Sequence, residues 1–155
     1  MEKTDIKSLD YDELKDFFVS IGEKPFRAKQ VYQWMHEKQA DGFEEMTNLS
    51  KSLREKLAET CEYTCLENVQ TLVSELVDGT VKYLWRLRDG DCVESVLMHY
   101  EHGVSVCVST QVGCRMGCRF CASTIGGKTR DLTAGEMLDQ IYRIQKDIGE
   151  RVSNL

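Results

Sequence analysis

Cys114, Cys118 and Cys121 stand four and three residues apart in the stretch Cys114-Arg-Met-Gly-Cys118-Arg-Phe-Cys121. Thiolates so spaced on one tight loop can converge on a single small object, and thiolate donors suit iron–sulfur clusters and zinc. Structural zinc closes with four ligands, often from paired Cys-x2-Cys units. Here the first gap is longer, and a fourth ligand would have to be His99, His102 or Cys107, none at a customary spacing. Three thiolates on a four-iron cluster leave one iron open. The other cysteines are Cys61, Cys65, Cys92 and Cys107. In a reducing compartment such thiols stay free, and Cys61, Cys65 and Cys92 read as ordinary buried or surface thiols.

An open iron can chelate the amino and carboxylate groups of S-adenosylmethionine (SAM). Electron transfer into that complex yields a deoxyadenosyl radical, so the hard chemistry belongs to the cofactor. Phe120 falls at the aromatic position of the Cys-x3-Cys-x-aromatic-Cys signature of radical SAM enzymes, which makes a [4Fe–4S] cluster the leading reading of this loop. Charge agrees locally. Residues 102–130 carry Arg115, Arg119, Lys128 and Arg130 with no Asp or Glu, a balance of +4 in a chain of net −6, leaving −10 elsewhere. The local excess suits an anionic substrate or a negatively charged cluster. The overall acidity argues against a general nucleic-acid binder.

The elements that must position this loop follow from patterning. The 155 residues suit one ordinary domain or two small ones, and 41% apolar with 30% charged content describes a soluble globular chain. No apolar run approaches a membrane span, and no apolar stretch follows the charged N-terminus, so a cytoplasmic location is expected. Residues 1–62 read as a small helical accessory domain with a possible RNA-binding role. Asp10 with Glu13 forms a capping box ahead of Leu14, Phe17 and Phe18; Gly22 stops that helix. Pro25 opens a second, with Phe26, Val31, Trp34 and Met35 at helical spacing, and Ser50 caps a third bearing Leu53 and Leu57. From 68 to 110 the pattern is strands: Val81, Tyr83, Trp85 and Leu87 alternate, Asp78-Gly79 and Asp89-Gly90 mark hairpins, and strands are expected at 92–98 and 104–110. A Gly- and Cys-rich loop at 111–132 leads to a helix capped by Thr133 and Glu136, with Met137, Leu138, Ile141, Ile144 and Ile148 as its buried face. Strand, cysteine loop and helix in that order predict the first βα unit of a partial (β/α) barrel, the next strand starting within 151–155. The expected class is α/β, or α+β over this length, with 68–155 as the start of the barrel domain.

Several segments then match one family. Cys92-Val-Glu94-Ser-Val, Val106-Cys107-Val-Ser-Thr-Gln-Val-Gly-Cys114, Cys118-Arg-Phe-Cys121-Ala-Ser-Thr-Ile-Gly-Gly127 and Gly135-Glu-Met-Leu-Asp-Gln-Ile-Tyr142 resemble the RlmN/Cfr family of radical SAM RNA methyltransferases, and the RlmN branch in particular. The resemblance implies methylation of carbon 2 of adenosine in 23S ribosomal RNA and in some transfer RNAs. It implies a [4Fe–4S] cluster on Cys114, Cys118 and Cys121, SAM beside Phe120, Glu94 as proton acceptor, and an electron donor such as flavodoxin or ferredoxin. It implies that Cys107 helps resolve a protein–RNA crosslink and can form a transient disulfide. On the residues alone, Glu94 is a solvated strand residue and Cys107 packs as a small hydrophobe.

The family's methyl-carrying cysteine and its Gly-Glu segment for the SAM amino group have no counterpart up to Leu155. The expectation is therefore an N-terminal portion, inactive alone and wanting a C-terminal half. Its second domain should be marginally stable, with an unpaired parallel edge and an uncovered apolar helix face at Ile141, Ile144 and Ile148. The alternative reading is a non-catalytic RNA- or metal-binding module.

Overall fold

Asp10 begins the first helix by supplying what its free N–H groups lack. Its carboxylate accepts from the N–H groups of Asp12 and Glu13 at 2.9 and 2.8 Å, and Glu13 reaches back to the N–H of Asp10 at 2.9 Å. The computed structural model describes residues 3–75 and 79–155 and separates Met1–Cys65 from Leu66–Leu155.

In the first unit, α1 (Tyr11–Ser20) is followed by α2 (Phe26–Tyr32), a π-helical turn at Gln33–Glu37, and α3 (Lys51–Thr60), whose N-cap is Ser50. Leu14, Phe18, Val31, Met35, Leu53 and Leu57 share one buried core. Short strands β1 (Thr4–Asp5) and β2 (Cys61–Glu62) pair in parallel and tie the unit's two ends together. Phe26 departs from expectation: it is 54% exposed at the start of α2, with the Arg27 guanidinium over its ring. A residue in the first turn reaches past the core edge, and the cation covers it instead.

The second unit is built on a five-stranded sheet in the order β3 (Glu67–Val73), β4 (Val81–Arg86), β5 (Cys92–Tyr100), β6 (Gly103–Cys107) and β9 (Val152–Asn154). The first four are mutually antiparallel, and β9 joins β6 in parallel. Between β6 and β9 run a two-stranded ribbon, β7 (Gln111–Gly113) with β8 (Lys128–Asp131), and helix α4 (Ala134–Ile148). This is the expected strand, loop, helix and next strand. Tyr83, Trp85, Leu87, Val93, Leu97, Val104 and Val106 form the buried face, joined by Ile144 of α4. The Asp89-Gly90 turn closes with Leu87 N–H on the Asp91 carbonyl at 2.8 Å. Asp78 of the other hairpin signal lies outside the described residues.

Three sequence expectations need correction. The strand expected at 104–110 leaves the ladder after Cys107. The segment 111–132 is not all loop, because its base is the β7–β8 ribbon. The deepest face of α4 is also not the apolar stripe: Gly135, Glu136, Asp139, Gln140 and Ile144 are buried, whereas Met137, Leu138, Ile141 and Ile148 are half-buried. The reason is polar satisfaction. Asp139 accepts from the Leu66 N–H at 2.6 Å, Glu136 accepts from the Arg130 guanidinium at 2.8 Å, and Gln140 bonds to both Ser95 and Ser109. Each buried polar group has a partner, so this face can pack on the sheet.

Candidate active site

The cysteine loop springs from the β7–β8 ribbon at the C-terminal end of β6. Gly113 permits the closure, with φ +69° and a site where a Cβ would meet the Gly127 carbonyl oxygen at 1.8 Å. Only glycine lets the two backbones approach so closely. The Cys114 N–H then donates to that carbonyl at 3.1 Å. Within the loop the Thr124 hydroxyl lies 2.9 and 2.8 Å from the carbonyls of Cys118 and Cys121, and the Cys121 N–H donates to the Cys118 carbonyl at 3.1 Å.

Cys114, Cys118 and Cys121 are free, half-buried thiols. Among the described residues, no three His, Cys, Asp or Glu side chains are gathered closely enough to hold a metal ion. The donor set itself is three thiols on a loop without carboxylates, which suits an iron–sulfur cluster better than a hard cation.

Cys114 and Cys121 line a cleft of about 620 Å³ together with Glu94, Cys92 and residues 109–113. Glu94 stands on β5, its carboxylate 2.6 Å from the Lys82 ammonium, both groups about half exposed. Cys107 is exposed at the end of β6 and registers with Val96. By strand alternation Glu94, Val96 and Cys107 share the sheet face opposite the core, and diagonal neighbours of this kind stand about 7–8 Å apart. The fold thus brings together Glu94, Cys107 and the root of the cysteine loop. Cys107, Cys118 and Phe120 do not line the cleft, and Phe120 is 94% exposed at the loop's tip beside exposed Met116 and Ile125.

The positive charge of this region is smaller than the sequence suggests. Arg130 forks onto Glu136 at 2.8 Å twice and meets Asp89 at 2.7 Å, and Lys128 pairs with Asp131. These acids hold the Arg130 guanidinium even further into its charged form, and Arg130 in turn holds the Asp89 carboxyl below the usual range. Arg115 and Arg119 stay exposed on the cysteine loop and make no ion pair among the described residues. Sequence reasoning gave no role to two residues here. Ser109 and Gln140 lie inside the family-like segments 106–114 and 135–142, but no spacing signal pairs them, because their bond spans 31 residues of sequence. Cys92, read from the sequence as an ordinary buried or surface thiol, is exposed and lines the cleft two residues before Glu94.

Residues 4–63 match the ribosomal RNA large subunit methyltransferase N-terminal domain. The chain is 69% identical over 152 residues to a probable dual-specificity RNA methyltransferase RlmN of Lachnospira eligens, covering 98% of this chain and 43% of that protein. It is 50% identical over 157 residues to the RlmN protein of Bacillus subtilis, covering 99% and 43%. The crystal structure of a radical SAM methyltransferase from Sphaerobacter thermophilus superposes with a TM-score of 0.87 at 37% identity, over 97% of this chain and 45% of that one. The chain therefore spans less than half the length of these relatives. Fold and loop define it as an α/β segment of the radical SAM methyltransferase architecture. Over nearly its whole length it matches the N-terminal portion of the RlmN proteins.

Proposed function

We propose that this chain is the N-terminal part of a radical SAM methyltransferase that modifies carbon 2 of adenosine in 23S ribosomal RNA and in some transfer RNAs. The observation that carries the reading is the placement of a three-thiol loop at the C-terminal end of β6, next to Glu94, in a fold that superposes on a radical SAM methyltransferase. Active sites of barrels collect at those strand ends.

Cys114, Cys118 and Cys121 would hold the [4Fe–4S] cluster. When bound, the cluster with SAM supplies a carbon radical, which suits an electron-poor adenine carbon that is no nucleophile. The chain's own residues bind, orient and move protons. In this reading Glu94, which lines the cleft and pairs with Lys82, accepts the proton from the carbon being substituted. Cys107, exposed on the same sheet face, is the thiol that in this reading helps to resolve the covalent protein–RNA crosslink. The exposed Arg115 and Arg119 of the cysteine loop supply positive charge for an RNA phosphate in this reading. Phe120 would stack beside SAM once the rest of a barrel is present. Ribosomal and transfer RNA, an electron donor such as flavodoxin or ferredoxin, and a C-terminal half are the partners of this reading. No helix among the described residues is long and apolar enough to cross a membrane.

Anaerobic reconstitution with iron and sulfide tests the cluster: a broad visible absorbance is expected, and it should vanish in C118A. A colourless protein holding stoichiometric zinc would overturn the assignment. Mass spectrometry of ribosomal and transfer RNA from cells lacking the gene tests the carbon position: 2-methyladenosine should disappear, and a loss of 8-methyladenosine instead would refute carbon 2.

A further inference from the structure

Resting on that reading, we propose that Gln140 is a positioning residue that fixes the root of the cysteine loop against Glu94. The regular β5–β6 ladder ends at Val96 and Cys107. Two residues further on, the chain turns out of the sheet toward β7, where its backbone groups would otherwise be unpaired. Gln140, with no exposed surface, fills the place of a neighbouring strand. Its Oε1 accepts from the Ser109 N–H at 3.0 Å and its Nε2 donates to the Ser109 carbonyl at 3.0 Å. The same Oε1 accepts from the Ser95 hydroxyl at 2.7 Å, which in turn accepts from the Trp85 indole N–H at 3.1 Å. Nε2 also lies 3.3 Å from the Glu136 carbonyl. The amide is thereby held from both ends and has one usable orientation.

Ser109 carries the constraint onward. Its hydroxyl donates to the Glu94 carbonyl at 2.7 Å, replacing the ladder bond that the departing backbone no longer makes. Helix α4, the strand bearing Glu94 and the first residues of the loop bearing Cys114 are thus joined through one buried side chain. A hydrophobic residue at 140 would pack as well on the sheet but would release Ser109. The role is geometric: Gln140 touches neither thiol nor carboxylate.

Two arms test this on the whole chain. In the metal-free protein, amide exchange of residues 107–113 should accelerate roughly 10- to 100-fold in Q140M, because two backbone hydrogen bonds are lost, while amides of 141–148 and of residues 3–65 keep their rates. Unchanged exchange at 107–113, or a uniform acceleration across residues 66–155, would overturn the proposal. In the reconstituted protein, an iron chelator should bleach Q140M and, to a lesser extent, S109A several-fold faster than the unsubstituted chain. I144V thins the same core without touching the network and should bleach at the unsubstituted rate. Equal bleaching of I144V and Q140M would reduce Gln140 to a stability role. S109A keeps both backbone bonds to Gln140 and removes only the hydroxyl bond to Glu94, so it tests the onward step, and Q140L decides the role of Gln140 by the same readouts if Q140M fails to fold. Should the unsubstituted chain load no iron, the cluster reading has failed, and the exchange arm still judges Gln140 on its own.

Discussion

Replacing the half-buried Arg130 by Met should destabilise the second unit strongly, for a reason visible in its partners. The guanidinium makes a two-pronged contact with Glu136 at 2.8 Å and a further one with Asp89 at 2.7 Å. Glu136 is 8% exposed, so its carboxylate loses most of its hydration on folding. The remaining contact is the Thr133 N–H at 2.9 Å, through the capping box. Charge-assisted hydrogen bonds are worth about 1.5–3 kcal/mol each at best, and stripping a partner from a nearly buried charge costs about 3 kcal/mol or more. Asp89 is more exposed and contributes under about 1 kcal/mol. We take about 3 kcal/mol in total, which for a unit of this size lowers Tm by roughly 10–20 °C. Thermal unfolding read by tryptophan fluorescence in a W34F background isolates Trp85 and hence the second unit. A double-mutant cycle of R130M with E136M should return a coupling of about 2 kcal/mol. A coupling below about 0.5 kcal/mol would refute the reasoning, since the ribbon, the β4–β5 turn and the start of α4 would then be held by other means. Acid tests the Asp89 arm separately. Its carboxyl is held low by Arg130, so its contribution is complete above the unfolded carboxylate pKa of about 4 and fades as pH falls through the lower folded value. That fade should be missing in R130M.

The remaining predictions address other parts of the chain. G113A should disrupt the ribbon, because the new methyl group would have to displace the Gly127 backbone; iron retention after reconstitution and Tm should both fall, and an unchanged Tm would refute the close approach. The His36 imidazole is pushed down to about 4, chiefly by burial and further by the Lys7 charge. The folded first unit therefore stays neutral at His36 while the unfolded chain takes up a proton near pH 6.5, so stability should fall as pH drops from about 6.5 toward 4. H36F should flatten that slope in denaturant titrations across this window. S50A should lose the cap of α3 and about 1 kcal/mol, measurable by urea unfolding of the first unit.

Local rules made most of the elements legible. The capping boxes at Asp10 and Thr133, the alternation through Tyr83 and Trp85, and the turn at Asp89-Gly90 each depend on neighbours a few residues away, and each appears where the pattern placed it. The strand within 151–155 was legible for a topological reason, since a helix leaving a sheet must return a parallel strand beside the first. The failures share a different cause. Periodicity assigns the inner face of α4 to its apolar residues, but burial there is decided by partners 31 to 73 residues away in sequence, such as Ser109 for Gln140 and Leu66 for Asp139. The charge count of 102–130 misled in the same way, because Arg130 finds its acids at Asp89, 41 residues upstream, and at Glu136.

These long-range polar bonds also bear on how the candidate site is built. The three thiols sit on a loop that contributes little to either core, with Met116, Phe120 and Ile125 turned outward. Such a loop cannot hold its own geometry by packing, so its geometry must be imposed at its root. Three constraints converge there: the Gly113–Gly127 closure, the Arg130 fork onto α4, and the Gln140 grip on Ser109. Each is polar or conformational, and none depends on residues at the loop's tip. The tip can therefore rearrange to gather its thiols without disturbing Glu94, whose position is set by the sheet and by Ser109. If that division holds, C118A should abolish cluster colour while leaving amide exchange at 92–96 and 107–113 unchanged, whereas Q140M should alter both. Slower or faster exchange at those strands in C118A would mean that the thiols help to build the frame they occupy.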